Sequence, residues 1–213
     1  MPRTRKLSLA AVAAGALALT ASTTISMPVA YGHGYTNSPI SRAKLCANTT
    51  VKNCGAIQWE PQSTEGPKGF PGAGPADGKL CSAGLQQFNE LNDQRGGAWP
   101  ATQLSSGANY AFKWHLTAQH ASTDFKYYVT KQGWNQSAPL SRSALDLTPF
   151  LTVPMGGARP AADITHNGRL PSRSGRHMIL AVWTIADTAN AFYQCSDVQF
   201  ASSLSKTGTD FEF

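Results

Sequence analysis

The sequence has no apolar run fit to cross a membrane, since the stretch from Leu7 to Thr20 falls short of the roughly 20 residues a spanning helix needs. Charge is scarce too: Asp, Glu, Lys and Arg make up 14% of the 213 residues, so the surface is polar rather than strongly charged. No basic run or arginine-rich stripe follows Lys6, which argues against nucleic acid as a partner and leaves a neutral ligand such as a polysaccharide as the better fit. No two cysteines stand at the short spacing of a zinc site. Neither a repeat nor a linker divides the chain, and one domain is expected.

What is there begins with a leader. Arg3, Arg5 and Lys6 precede the apolar stretch, and Ala30 and Gly32 put small residues three before and one before the Gly32/His33 bond, the size pattern of a secretory cleavage site. Residues 1–32 therefore read as a signal peptide and His33 as the mature start; a cut after Ala30 is the alternative. A secreted, extracellular protein with no membrane partner follows. Its 15 remaining Lys and Arg stand against 12 Asp and Glu, a net charge of about +3. A histidine freed at an N-terminus can offer both its amino and a ring nitrogen to one metal ion.

Cys46, Cys54, Cys81 and Cys195 all lie in the exported part, where an even count reads as two disulfides. Three pairings are possible. Cys46 and Cys54 are close enough to staple one loop, which leaves Cys81 for Cys195.

From His33 to about Trp99 the chain is rich in Gly, Pro, Asn and Ser and shows no sustained helical period, so a long loop-rich region is expected. One short helix is predicted over Ser82 to Leu91, where Leu85, Phe88 and Leu91 recur three apart. Strand patterns then take over. Phe112, Trp114, Leu116 and Ala118 alternate with Lys113, His115, Thr117 and Gln119, and the apolar parity ends on His120. A second strand over Asp124 to Thr130 reads as its antiparallel neighbour. His177 to Ile185 is apolar on both parities, as in a strand buried on two sides, and Phe192 to Phe200 supplies another. The expected fold is all-β: an immunoglobulin or fibronectin-III-like sandwich over residues 33–204, with the loop-rich region and its short helices between the first strands, and a flexible tail over 205–213.

Of the five histidines, His120 lies on the core-facing parity yet at a strand end, where a ligand could sit. His115 reads as surface, and His166 and His177 as structural residues of loops or strand edges.

Several long motifs, in order, now point to a family: His33, Gly34, Tyr35 with Ser38, Pro39, Ser41 and Arg42; Gln58 to Gly66; Gly69, Phe70, Pro71; Gly74 to Gly78; Thr117, Ala118 and His120; and Asp187 to Tyr193. Across essentially the whole mature chain these resemble the bacterial lytic polysaccharide monooxygenases once described as chitin-binding proteins. The resemblance implies one copper ion held in a T-shaped set by the amino and a ring nitrogen of His33 and a ring nitrogen of His120, donors that suit copper. It implies that Phe192 is the apolar axial neighbour, that Ala118 packs over the other side, and that Glu65 is a carboxylate near the metal for positioning oxygen species and handling protons.

By the same resemblance Trp59 is the exposed aromatic that stacks on sugar, and Glu60, Gln62, Thr117, Asp187 and Asn190 are polar residues of a flat binding face. Many chitin-active relatives carry Tyr at the position of Trp59, whereas Ser38 and Pro39 resemble the chitin-active branch. The implied activity is oxidation of crystalline chitin at the anomeric carbon to give aldonic acid ends, by a monomer using an external electron donor and dioxygen or hydrogen peroxide. Two rivals share the sequence: a chitin-binding module without catalysis, and a hydrolase pairing Glu65 with Glu60 or Asp187, for which no spacing predicts the necessary cleft.

Overall fold

Strand alternation and a Gly/Pro-rich first third produce two sheets with a loop layer laid over one of them. The computed structural model describes residues 32–201; the leader before Gly32 and the tail over 205–213 lie outside these residues. Among the described residues there are nine strands: β1 (His33–Ser38), β2 (Glu65–Pro67), β3 (Thr102–Leu104), β4 (Asn109–Ala118), β5 (Ser122–Val129), β6 (Leu151–Pro154), β7 (Asp163–Arg169), β8 (Gly175–Ile185) and β9 (Asn190–Phe200). The small sheet runs β1-β4-β7. The large sheet runs β2-β9-β8-β5-β6, with β3 parallel to β9. This is the expected sandwich, with short helices in the loop-rich region between β1 and β3.

Two cores flank the large sheet. Between the sheets lie Phe112, Trp114, Phe125, Tyr127, Trp183, Phe192 and Phe200. On the sheet's other face Leu45, Ile57, Leu80, Phe88, Leu91 and Trp99, all from the loop region, pack against Tyr128, Met178, Leu180 and Tyr193. That second core explains why β8 is apolar on both parities: Ile179, Ala181 and Trp183 face one core, Met178, Leu180 and Val182 the other.

Two expectations need correction. β4 and β5 are not ladder neighbours; they belong to different sheets and meet face to face, Phe112 against Tyr127 at 4.5 Å and Trp114 against Phe125 at 5.4 Å. Both strands carry a large aromatic face, and burying two such faces against each other removes more apolar surface from water than edge pairing would. The helix predicted over Ser82 to Leu91 is instead a turn followed by a 3-10 segment, Gln86–Asn92, broken at Phe88. Ala83 and Gly84 hold left-handed φ of 56° and 85°, which stops a right-handed helix at its first turn. The one α-helix among the described residues, α1 (Arg42–Ala47), carries a signal the sequence reading passed over: the Ser41 hydroxyl caps it by accepting from the Lys44 N–H.

The disulfides pair Cys46 with Cys54 and Cys81 with Cys195. The second closes a separation of 114 residues and ties the loop layer to β9, while the first closes eight. Loop-closure entropy then assigns about 5 kcal/mol to the long bridge and about 2.5 kcal/mol to the short one. Denaturant unfolding should accordingly show the Cys81→Ala/Cys195→Ala protein losing roughly twice the stability lost by Cys46→Ala/Cys54→Ala; equal losses would contradict the assignment.

Candidate metal centre

The first residue of β1 and the chain just past the end of β4 meet at one end of the sandwich. His33 pairs with Ala118, the last residue of β4, and an irregularity follows at Gly34. His120 comes two residues later. Its carbonyl accepts from the Ser122 hydroxyl (2.9 Å), and that hydroxyl oxygen accepts from the Trp183 indole N–H (2.7 Å), so the segment crossing between the sheets is fastened to the core. The Phe192 ring, fully buried, lies 6.3 Å from the His33 ring and stacks on Trp183 at 5.0 Å. A Cβ placed on Gly32 would stand 2.9 Å from Phe192 Cε2 and 3.4 Å from His120 Cδ2, so the backbone leading into His33 runs beside both rings. His33, Ala118, His120 and Phe192 are thus brought together.

Around them stand the polar residues. Glu65 opens β2 and pairs in register with Phe192, and its Oε1 accepts from the Asn190 side-chain N–H at 2.7 Å. Asp187 is exposed, with Oδ1 3.7 Å from His120 Nδ1, within ion-pair reach. The Gln62 carbonyl accepts from the Gly34 N–H at 3.1 Å, joining the loop of Trp59, Glu60 and Gln62 to the strand of His33. Trp59, at the end of the 3-10 turn Gly55–Gln58, is 81% exposed. Thr117 sits on the solvent-facing side of β4 beside Ala118. Two surface clefts, of about 570 and 380 Å³, are lined by residues of other segments.

One positioning residue escaped the sequence reading. Lys68, just past β2, donates from its ammonium to the carbonyls of Ile185 (3.4 Å) and Thr188, while its N–H donates to Ala189 (2.9 Å). It clamps the turn that carries Asp187. A lysine in a Gly/Pro loop reads as solvated, and nothing local marks its partners.

The donor set can be tested against copper. Among the described residues no three His, Cys, Asp or Glu side chains converge as a metal site. His33 and His120 both lie at this end, and in a chain beginning at His33 the main-chain amine would be a third nitrogen donor. Amine and imidazole nitrogens suit copper, and Glu65 is already engaged by Asn190, so these residues fit that ion.

Comparison with known proteins agrees. The family described as "Lytic polysaccharide mono-oxygenase, cellulose-degrading" matches residues 33–198. The chain is 52% identical over 172 residues to an AA10 family lytic polysaccharide monooxygenase C of Mycosarcoma maydis, covering 79% of this chain and 52% of that protein. It is 46% identical over 203 residues to GlcNAc-binding protein A of Shewanella oneidensis, covering 95% and 42%. The chain thus spans about half, or less, of the length of these relatives. Among solved structures it resembles an AA10 lytic polysaccharide monooxygenase from Streptomyces lividans, with 61% identity, 79% of this chain, all of that one and a TM-score of 0.78. It also resembles the Bacillus amyloliquefaciens protein in complex with Cu(I), with 39% identity, 79% and 100% coverage and a TM-score of 0.73.

The other three histidines stand apart from this site. His115 is half-exposed, 2.8 Å from Asp163. His166 and His177 are structural as expected, yet neither is in a loop: His166 points inward from edge strand β7 and His177 lies fully buried on β8. The Trp114 indole N–H donates to the Tyr127 hydroxyl (2.9 Å), which bonds His166 Nδ1 (2.7 Å); His166 Nε2 is buried without a partner. Burial drives the His166 pKa down to about 4 and lowers that of His177 as well. The unfolded chain, with ordinary imidazoles near 6.5, binds protons the folded one refuses, so stability is full above about pH 6.5 and falls as pH drops towards 4. Urea midpoints from pH 4 to 7 should show that slope, and His166→Gln should flatten it in part, His177 accounting for the remainder. A variant with an unaltered slope would remove His166 as a cause.

Proposed function

This chain belongs to the AA10 family of lytic polysaccharide monooxygenases, which are copper-dependent, and on that footing we propose a secreted enzyme that oxidatively cleaves crystalline chitin. The observation that carries the proposal is the meeting of His33 and His120 beside buried Phe192, within reach of a face bearing exposed Trp59.

Signal cleavage after Gly32 frees the His33 amine. That amine, a ring nitrogen of His33 and a ring nitrogen of His120 would hold one copper ion, which would supply one-electron redox chemistry towards dioxygen or hydrogen peroxide. Phe192 would face it with a hydrocarbon ring that donates no ligand, and Ala118 is small enough to leave room beside it. Glu65, its Oε1 taken by Asn190, keeps its second oxygen to accept or deliver a proton. Trp59 stacks on the apolar face of a sugar ring, and Glu60, Gln62, Thr117, Asp187 and Asn190 hydrogen-bond the surrounding chain, so that an anomeric C–H lies at the metal. Hydroxylation of that carbon, with hydrogen peroxide as oxidant or dioxygen plus two electrons from the external donor, would break its bond to the glycosidic oxygen. That oxygen leaves as a hydroxyl of the next sugar, and the lactone formed would hydrolyse to an aldonic acid end.

Chitin is preferred as substrate because the Shewanella relative is named for binding GlcNAc and a neighbour from Cellvibrio japonicus is titled for chitin utilisation. The family's own description names cellulose, so both polymers belong in the test.

Copper-loaded protein beginning at His33, incubated with β-chitin and a reductant, should release soluble aldonic acids seen by mass, and none without the reductant. Unmodified oligomers released without reductant would establish a hydrolase instead, binding without soluble product a passive module, and oxidised products from cellulose alone a cellulose enzyme. Retaining Met ahead of His33 should abolish tight copper binding in calorimetry; undiminished binding would sink the chelate. Trp59→Ala should weaken chitin binding roughly 3- to 10-fold, on the order of one aromatic stack, with copper affinity unchanged.

A further inference from the structure

The face of β9 that looks into the sandwich runs Phe192, Gln194, Ser196, Val198, Phe200, with the three apolar members in the core between the sheets. Two polar residues interrupt it where β1 docks. Ser196 has a clear anchor, its hydroxyl donating to the Pro39 carbonyl at 3.0 Å. Gln194 is different. Its side-chain amide is 1% exposed and aims its nitrogen at three acceptors on three segments: Thr64 Oγ1 at 2.7 Å, the Gly34 carbonyl at 3.2 Å and the Pro61 carbonyl at 3.4 Å. Thr64 passes the bond on, donating to the Tyr193 carbonyl at 2.7 Å.

Those segments are the ones the proposed function needs in register. Gly34 follows His33, Pro61 lies between Glu60 and Gln62 in the loop of Trp59, and Thr64 precedes Glu65. Alongside Gln194 runs the Gly34 N–H bond to Gln62, so both polar groups of Gly34 are used to hold the strand of His33 to that loop. A Cβ on Gly34 would stand 2.5 Å from Leu116 Cδ2 and 3.1 Å from the His115 carbonyl, so any larger residue there would displace the Leu116 side chain.

Among the described residues the Gln194 Oε1 is buried with no partner, and an orphaned buried acceptor costs about 1–3 kcal/mol, which an apolar side chain of the same volume would avoid. A core that keeps such a group, next to the metal ligand and the binding loop at once, has a use for its direction. We infer that Gln194 is a positioning residue that sets the register between the His33 strand and the loop carrying Trp59, Glu60, Gln62 and Glu65. It touches neither metal nor polymer. Its effect on either is transmitted through Gly34 and Pro61, and the inference rests on the copper and chitin reading above.

The test compares parent and Gln194→Met proteins, both beginning at His33, since methionine fills the volume and removes all three donations. In metal-free protein, the Gly34 amide should exchange its hydrogen at least 10-fold faster in the variant. In Cu(II)-loaded protein, the electron paramagnetic resonance spectrum should shift its copper hyperfine splitting, and chitin affinity should fall 3- to 10-fold. An unchanged copper spectrum with unchanged chitin affinity overturns the inference even where the melting temperature falls, because that is what a purely structural glutamine would give. Should Gln194→Met fail to fold, Thr64→Val, which removes the acceptor of the shortest bond, is read by the same spectrum and affinity. A parent that takes up no copper would sink the copper reading, and the metal-free exchange rates tell that failure apart.

Discussion

The buried ion pair of Arg42 with Asp197 binds the first segment of the chain to its last strand, and the candidate site exists only because those two meet. The guanidinium engages Asp197 through both Nε (2.6 Å) and Nη2 (3.1 Å), and its remaining donors reach the Leu91 carbonyl and Gln94 Oε1. Arg176 adds a second cation on Asp197 at 2.9 Å. Trp99 lies between two guanidiniums, Arg42 and Arg95 each 4.7 Å from its ring. Arg42 and Arg176 are both paired with Asp197, and Arg95 bonds the Lys52 and Asn53 carbonyls; a buried pair is tolerated when its charges are compensated and its donors used in this way. Removing one partner would leave an uncompensated charge, typically at a cost of about 3–5 kcal/mol. One residue cluster thereby joins α1, the loop layer and β9.

From that anchor the rest follows in order. β1 leads straight into α1, so fixing α1 against β9 fixes where β1 lies across the end of the sandwich. β9 then serves both cores, with Tyr193 and Cys195 facing the loop layer and Phe192 facing the small sheet. The loop layer lacks regular structure, yet it is held like a packed element by the Cys81–Cys195 bridge, by its own apolar core and by the pairing of Glu65 opposite Phe192. A binding face built on loops can therefore keep its shape.

Sequence reading succeeded where one residue type or one period carries the information. Alternation located β4 and placed His120 at its end; two-sided apolarity identified β8 as central; proximity of Cys46 and Cys54 left Cys81 for Cys195. It failed where local backbone geometry or a partner remote in sequence decides. The threefold spacing of Leu85, Phe88 and Leu91 looks helical, but left-handed Ala83 and Gly84 break the backbone ahead of it. Parity gives the inward face of β4 and of β5 without saying that the two faces oppose each other across the sandwich. Lys68 and Gln194 are less visible still, since a side chain that bonds distant backbone carbonyls leaves no pattern around itself. The ligand set, the role of Glu65 and the binding-face residues came from family resemblance rather than from spacing.

The two imidazoles of the candidate site are mounted differently from the face around them. A chain of contacts runs from the His33 ring to Phe192, from Phe192 to Trp183 by stacking, from the Trp183 indole to Ser122, and from Ser122 to the His120 carbonyl. Phe192 and Trp183 are fully buried, and Trp183 also stacks on Phe125 with the ring planes 2° apart, so this chain of contacts shares the rigidity of the core. Trp59 and Asp187 stand on turns and are exposed. Changes on those turns can alter the exposed face without disturbing the imidazoles, whereas a change of volume at Phe192 or Trp183 moves one imidazole relative to the other. A rigidly mounted pair of imidazoles thus borders a face whose side chains can vary, and Gln194 lies between the two, bonding the backbone of both segments.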